Sequence, residues 1–215
     1  MSGDNVMYTL YGTKGSGSAA VEVAQARCNA PFKLVRASSW ERDSAVAELE
    51  RVNPLKQIPT RVLQDGTVIS ESAAILIHLG LAFPDSGRLP IDPSQRAQSL
   101  RGLVYIAANC YAAVSVSDYP ERWSSDSDEA AIKRVRTAAR GQLHRHWEIF
   151  ADLFLASPFF SGERPGALDF LAVVISKWSG TRAHLKTARP EFLATLHAIE
   201  KHPDVVTVFS RHWDA

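Results

Sequence analysis

Residues 53–79 read NPLKQIPTRVLQDGTVISESAAILIHL. Asn53-Pro54 marks a turn that leads to Ile58-Pro59. Two short runs follow, Arg61 to Gln64 and Thr67 to Ser70, separated by Asp65-Gly66. Asp-Gly between two such runs is a strong hairpin signal. Ser70-Glu71-Ser72 then opens a helix, with Ile75, Leu76 and Leu79 on one face. The stretch predicts a hairpin that delivers the chain directly to a helix N-terminus.

A helix N-terminus presents unpaired backbone N–H groups and a partial positive charge, so it suits a carboxylate. Ser72 adds a hydroxyl donor there, and Glu71 adds an anion able to hold an ammonium group. A ligand bearing an amine and a carboxylate on one carbon would be held at both ends. Capping alone is the plainer reading, with Ser70 as the cap and Glu71 favoured by the dipole.

The ordered set Asn53-Pro54, Ile58-Pro59, Asp65-Gly66 and Glu71-Ser72-Ala73-Ala74-Ile75 resembles the glutathione-binding core of the glutathione S-transferase family. One departure is visible: Lys56 stands where many members have Gly. The resemblance implies a cis Ile58-Pro59 bond. Ile58 would then pair with the cysteinyl backbone of glutathione, and Pro59, lacking an N–H, would end that ladder. It further implies that Glu71 and Ser72 hold the γ-glutamyl group. Gln57 is expected near the glycyl end, and Trp40 is at a place where some members also reach it.

The rest of the chain fits that frame. Met7 to Tyr11 and Phe32 to Val35 read as strands, and Ala19 to Arg27 between them reads as a helix, which makes a βαβ unit with parallel pairing. Ser44 to Val52 is a weaker helix. The order β-α-β-α-β-β-α predicts a thioredoxin-like domain over 1–82. Residues 83–91, rich in Pro, Gly and polar side chains, read as a linker. Residues 92–215 read as all-helical. Pro93 to about Val114 and Asp128 to about Leu155 are long helices. Pro165 to Lys177 is apolar nearly all round and is expected at the centre of this part. Family members often carry Ser/Thr-x-x-Asp at its start, where this chain has Gly166-Ala167-Leu168-Asp169. Two further helices, Glu191 to Lys201 and Asp204 to Arg211, complete the set.

Composition narrows the partners. The 215 residues carry 24 basic and 23 acidic side chains, a net charge of +1, which argues against nucleic acid. No run of about 18 apolar residues is read, and a membrane partner is not expected. The two cysteines, Cys28 and Cys110, form no pair or metal pattern. No metal is expected, and this use of Cys suits the cytoplasm. The start of the chain lacks the features of a signal peptide. The seven histidines are read as surface or core residues.

Chemistry in this family requires a thiol made nucleophilic. An ordinary Cys thiol has a pKa near 8.5, and lowering it by two units needs about 2.7 kcal/mol of preference for the anion. A hydroxyl donor and a helix N-terminus can supply that. The segment Gly12-Thr13-Lys14-Gly15-Ser16-Gly17-Ser18 ends at such a terminus. By resemblance, the serine type has its hydroxyl five residues after the aromatic ending the strand. Counting from Tyr11 gives Ser16. Ser18 is the alternative, with an N-cap role as its plainer reading, while Tyr11 reads as core. On the electrophile side Tyr105 and Asn109, at i, i+4 spacing, are predicted to face the cleft. Tyr111, Tyr119 and Trp123 are further candidates. The expectation is a cytoplasmic, homodimeric glutathione transferase that attacks a small hydrophobic electrophile in detoxification. Glutathione-dependent isomerisation, dehalogenation or peroxide/disulfide reduction, and a non-catalytic binding or regulatory role, are the alternatives.

Overall fold

The computed structural model describes residues 7–125 and 128–213. Strand β1 (Tyr8–Gly12) pairs in parallel with β2 (Phe32–Arg36) through the crossover helix α1 (Ser18–Arg27). A short helix α2 (Val46–Val52) leads to β3 (Thr60–Val62), antiparallel to β1, and β4 (Val68–Ser70), antiparallel to β3. The sheet order is β2-β1-β3-β4, and α3 (Ser72–Ala82) follows β4 directly. This is the expected thioredoxin-like arrangement. Its hairpin is closed more loosely than a two-residue turn. The Leu63 N–H reaches the Thr67 carbonyl at 2.8 Å, and the Gly66 N–H reaches the Leu63 carbonyl at 3.1 Å. Gly66 takes a φ of +85° that most side chains resist, and the Asp65 carboxylate accepts from the Thr67 N–H at 2.9 Å. The loop therefore has three residues.

Alternation along β1 sorts the core. Leu10 packs with Ala20, Val23, Ile75 and Leu79. Tyr11, one residue on, points to the opposite face with Ala37, Leu49 and Ile58. The Tyr11 hydroxyl donates to Glu48 at 2.7 Å, so Tyr11 is a core residue, as read.

After a 3₁₀ turn (Pro84–Ser86), the helical part begins at α4 (Pro93–Tyr105). Asp92 caps it, accepting from the Gln95 N–H at 2.8 Å. The rod continues through a π-helical turn (Ile106–Tyr111) into α5 (Ala112–Asp118), longer than the expected Pro93 to Val114. Its most apolar stretch has a mean hydropathy of 1.2, so by length and composition alone the rod could cross a membrane, as the core helix of a soluble protein also could; it contains no unbroken run of about 18 apolar residues. Its buried side packs on other helices of the same fold. Then come α6 (Glu129–Leu153), α7 (Ala167–Ile175), α8 (Thr181–Ala188), α9 (Pro190–Lys201) and α10 (Pro203–His212). Helix α8 was not anticipated. It is eight residues long and mostly polar, and only Thr181 and Leu185 are buried, too few positions for an apolar spacing to stand out in the sequence.

Every residue of α7 is buried, which confirms it as the centre of the helical part. Its Asp169 carboxylate accepts from the backbone N–H groups of Phe160 (2.9 Å), Ser161 (3.1 Å) and Gly166 (3.0 Å). Burial pushes this carboxyl up, and the donors oppose that rise. Gly166 has no hydroxyl to contribute, for a steric reason. A Cβ there would lie 2.6 Å from the Ser161 hydroxyl and 2.8 Å from the Arg88 carbonyl.

Candidate active site

A cleft of about 670 Å³ lies where the loop after β1, the turn before β3, the start of α3 and the π turn–α5 rod meet. Each wall comes from a local rule. The Asn53 side chain organises the turn before β3. Its Nδ2 donates to the Thr60 hydroxyl at 2.9 Å and the Gln57 carbonyl at 3.2 Å, while its Oδ1 accepts from the Leu55 N–H at 3.1 Å. Within this turn Lys56 has a φ of +53°, the left-handed conformation that suits Gly. The Ile58-Pro59 bond is cis, and Gln57, Ile58 and Pro59 all line the cleft, with Trp40 and Leu55 beside them.

At the next wall the chain turns sharply into α3. Glu71, not Ser70, occupies the cap position, with φ 67° and ψ 114°. A non-glycine residue in such a conformation costs on the order of 1–3 kcal/mol and is characteristic of functional sites. No side-chain cap bond is made there, so the capping reading of Ser70 is overturned. Glu71, Ser72 and Ala73 line the cleft. The first helical bond runs from the Ile75 N–H to the Glu71 carbonyl, which leaves the amides of the first turn without helical acceptors.

The β1–α1 loop forms the third wall. Ser16 is buried, and its hydroxyl donates to the Thr13 carbonyl at 2.8 Å. Its oxygen accepts from the Ser18 N–H at 3.2 Å. Gly17 occupies the cap position of α1 without a side-chain cap bond, and Ser18, read as the cap, is the first residue of the helix. The Ser18 hydroxyl is 3.0 Å from that of Ser16, 3.3 Å from the Thr13 carbonyl and 3.2 Å from Glu22. Of the two serines only Ser16 lines the cleft. Thr13 is itself tied down, its hydroxyl donating to Glu41 at 2.9 Å. Among the described residues the Gly17 N–H meets no acceptor, and Gly17 also faces the cleft.

The fourth wall corrects the electrophile-side expectation. Tyr105 and Asn109 do not reach the cleft. The Tyr105 hydroxyl donates to the His146 carbonyl at 3.0 Å, and its ring packs on Phe150 and Phe154. The Asn109 amide donates to the Tyr105 carbonyl at 3.1 Å. The π turn inserts one extra residue per turn and rotates everything after it. Ala107, Tyr111, Ala112, Ser115 and Asp118 face the cleft instead, with Tyr119, Arg122 and Trp178. Trp123 does not line it and is 62% exposed. Tyr111 comes close enough to Gly17 that a Cβ there would sit 2.9 Å from the phenol oxygen. Its ring packs against Trp178, with centroids 5.6 Å apart. Burial, then the Glu71 charge, pushes the Tyr111 phenol up to about 12, so it remains a donor across the neutral range. The two cysteines are both buried away from the cleft, and burial raises both thiols.

One group escaped the sequence reading. His212, at the end of α10, is buried against α1. Its Nε2 lies 2.9 Å from Glu22, and its Nδ1 accepts from the Gly15 N–H at 3.2 Å. The two partners stand 190 residues apart in sequence, so no local pattern marks them.

Residues 19–81 match the family described as glutathione S-transferase, N-terminal domain. An uncharacterised glutathione S-transferase-like protein of Escherichia coli K12, YncG, is 27% identical over 208 residues, covering 96% of this chain and 98% of its own. A glutathione transferase homologue from Sulfitobacter, crystallised with glutathione, superposes with a TM-score of 0.81 at 22% identity, covering 95% of this chain and 98% of that one. A glutathione S-transferase of Methylobacterium radiotolerans, in complex with glutathione sulfonate, has a TM-score of 0.71 at 26% identity and covers 94% of each chain. Residues 19–81 thus carry the N-terminal domain of the glutathione S-transferase family, and the whole chain shares its two-part fold with solved glutathione transferases.

Proposed function

We propose that the protein is a glutathione transferase that activates the thiol of glutathione for attack on a small hydrophobic electrophile. The observation that carries the reading is the convergence of two helix N-termini on one cleft. One is the start of α3, with Glu71 and Ser72, and the other is the start of α1, with Ser16 and the Gly17 N–H. The residues fit the tripeptide in chemistry and in order. Glu71 and the α3 amides suit an amine and a carboxylate on one carbon. The Ile58 backbone suits an extended cysteinyl unit, and Gln57 with Lys56 suits a terminal carboxylate. The Ser16 hydroxyl and Gly17 N–H then stabilise the thiolate. Tyr111, a retained donor, stands where a reacting electrophile would be polarised.

Homodimerisation belongs to this reading. Leu81 and Val104, 61% and 56% exposed on helices α3 and α4, supply apolar surface for it. A reducing, cytoplasmic setting accords with two unpaired cysteines.

A second reading is a glutathione-binding protein without turnover. It is favoured by the Ser16 hydroxyl proton, which is directed at the Thr13 carbonyl and not at the cleft. Retention on immobilised glutathione followed by a panel of conjugation, isomerisation, dehalogenation and reduction substrates separates the two. Retention with conjugation is expected. Retention without any turnover favours the binding protein, and no retention overturns both.

A further inference from the structure

We infer that His212 is a positioning residue for thiol activation, acting through Glu22 and Ser18 to release the Ser16 proton toward the cleft. The inference rests on Ser16 being the thiol's donor, as proposed above.

The reasoning is a count of protons. The Ser16 hydroxyl has one proton, and it donates to the Thr13 carbonyl at 2.8 Å. To donate to sulfur it must leave that carbonyl, and a buried carbonyl left without a donor is costly. The Ser18 hydroxyl is the available replacement, 3.3 Å from the same carbonyl. But Ser18 also has only one proton, and the Glu22 carboxylate competes for it at 3.2 Å. A carboxylate is the stronger acceptor. Left alone, Glu22 would hold the Ser18 proton and so keep Ser16 on Thr13.

His212 changes that competition. The Gly15 N–H donates to its Nδ1 at 3.2 Å, so the ring proton resides on Nε2. That Nε2–H donates to the same Glu22 oxygen at 2.9 Å. The contact is dry, with both side chains 4% exposed. Glu22 is thus satisfied without Ser18, whose proton is free to take over the Thr13 carbonyl. Arg211, 63% exposed, also faces the carboxylate, with its guanidinium 4.0 Å from the other Glu22 oxygen. Because Gly15 lines the cleft, the same imidazole also fixes the loop that carries Ser16.

The test reads the ionisation of bound glutathione from its thiolate absorbance, with kcat and KM, in purified full-length protein. His212→Phe is expected to raise the apparent thiol pKa by about one unit and lower kcat about tenfold near neutral pH, with KM for glutathione within about twofold. Adding Glu22→Gln to His212→Phe removes the competing charge and is expected to restore most of the loss. A prop that merely held the loop would be further weakened by the second change. If His212→Phe fails to fold, His212→Gln, which offers Glu22 a donor, is expected to keep the native thiol pKa, and His212→Leu to raise it. The inference is overturned if His212→Phe, or in its place His212→Leu, leaves the thiol pKa unchanged while Ser16→Ala raises it. It is also overturned if Glu22→Gln deepens the defect. An unaltered thiol pKa in Ser16→Ala removes the underlying reading, and this inference with it.

Discussion

The Ser16 hydroxyl donates to the Thr13 carbonyl at 2.8 Å, and the Ser18 hydroxyl lies 3.3 Å from the same oxygen. One carbonyl thus has two candidate donors, of which only Ser16 faces the cleft. The two serines therefore differ in role despite their 3.0 Å separation.

Ser16→Ala should remove the hydroxyl proposed to donate to the sulfur. A hydrogen bond to a charged group contributes about 1.5–3 kcal/mol. The bound thiol pKa is expected to rise by roughly 1–2 units, with affinity for glutathione changed little. A pH–rate profile for conjugation checks this, and an unmoved acidic limb would reassign the donor role to the Gly17 N–H. Ser18→Ala should have a smaller effect on the same limb.

Ser72→Ala should act on binding instead. Loss of one hydroxyl contact at the α3 terminus is expected to weaken glutathione affinity about five- to tenfold, on the order of 1 kcal/mol. Titration calorimetry reads this directly. An unchanged dissociation constant would place the γ-glutamyl group elsewhere.

Gly166→Ser would give α7 a preferred capping residue, yet it should destabilise the protein. The added Cβ meets the Ser161 hydroxyl at 2.6 Å and the Arg88 carbonyl at 2.8 Å. Overpacking of this kind costs about 1–3 kcal/mol, more than a cap returns over Gly. The midpoint of denaturant unfolding should fall. A rise would mean that the 161 loop relaxes freely.

The Tyr11 and Tyr111 phenols are both pushed up to about 12, burial being the main cause in each. Below about pH 10 both stay protonated whether folded or unfolded, and their contribution to stability is complete. Between about pH 10 and 12 the unfolded chain releases these protons first, so stability falls as pH rises. The loss is on the order of 2 kcal/mol per phenol. Unfolding free energies at about pH 9 and 11 check the slope, which Tyr11→Phe should flatten.

What could be read from the sequence was what neighbouring residues decide. Asp65-Gly66 announced the hairpin, and Glu71-Ser72 announced the helix that follows it, because turn and cap chemistry act within a few residues. The parallel βαβ start and the central position of α7 were readable from apolar patterning alone. Tyr105 and Asn109 were misplaced because regular 3.6-residue spacing was carried through a segment that departs from it. Nothing in Ile106-Ala107-Ala108-Asn109 marks a π turn. That Ser18 does not cap α1 could not be read, because the cap falls at Gly17 and the two hydroxyls meet each other and the Thr13 carbonyl, a geometry that spacing does not show. His212 was invisible for a different reason: its meaning depends on a carboxylate that only folding brings near.

The irregular turn at Ile106–Tyr111 lets one continuous rod serve two neighbourhoods independently. Residues before it are phased to the aromatic cluster around Phe150, and those after it to the notch. Exchanging Ala112, Ser115 or Asp118 should therefore reshape what the notch admits while leaving the Tyr105 packing untouched. Such a chain can change what the notch accepts without first renegotiating its interior.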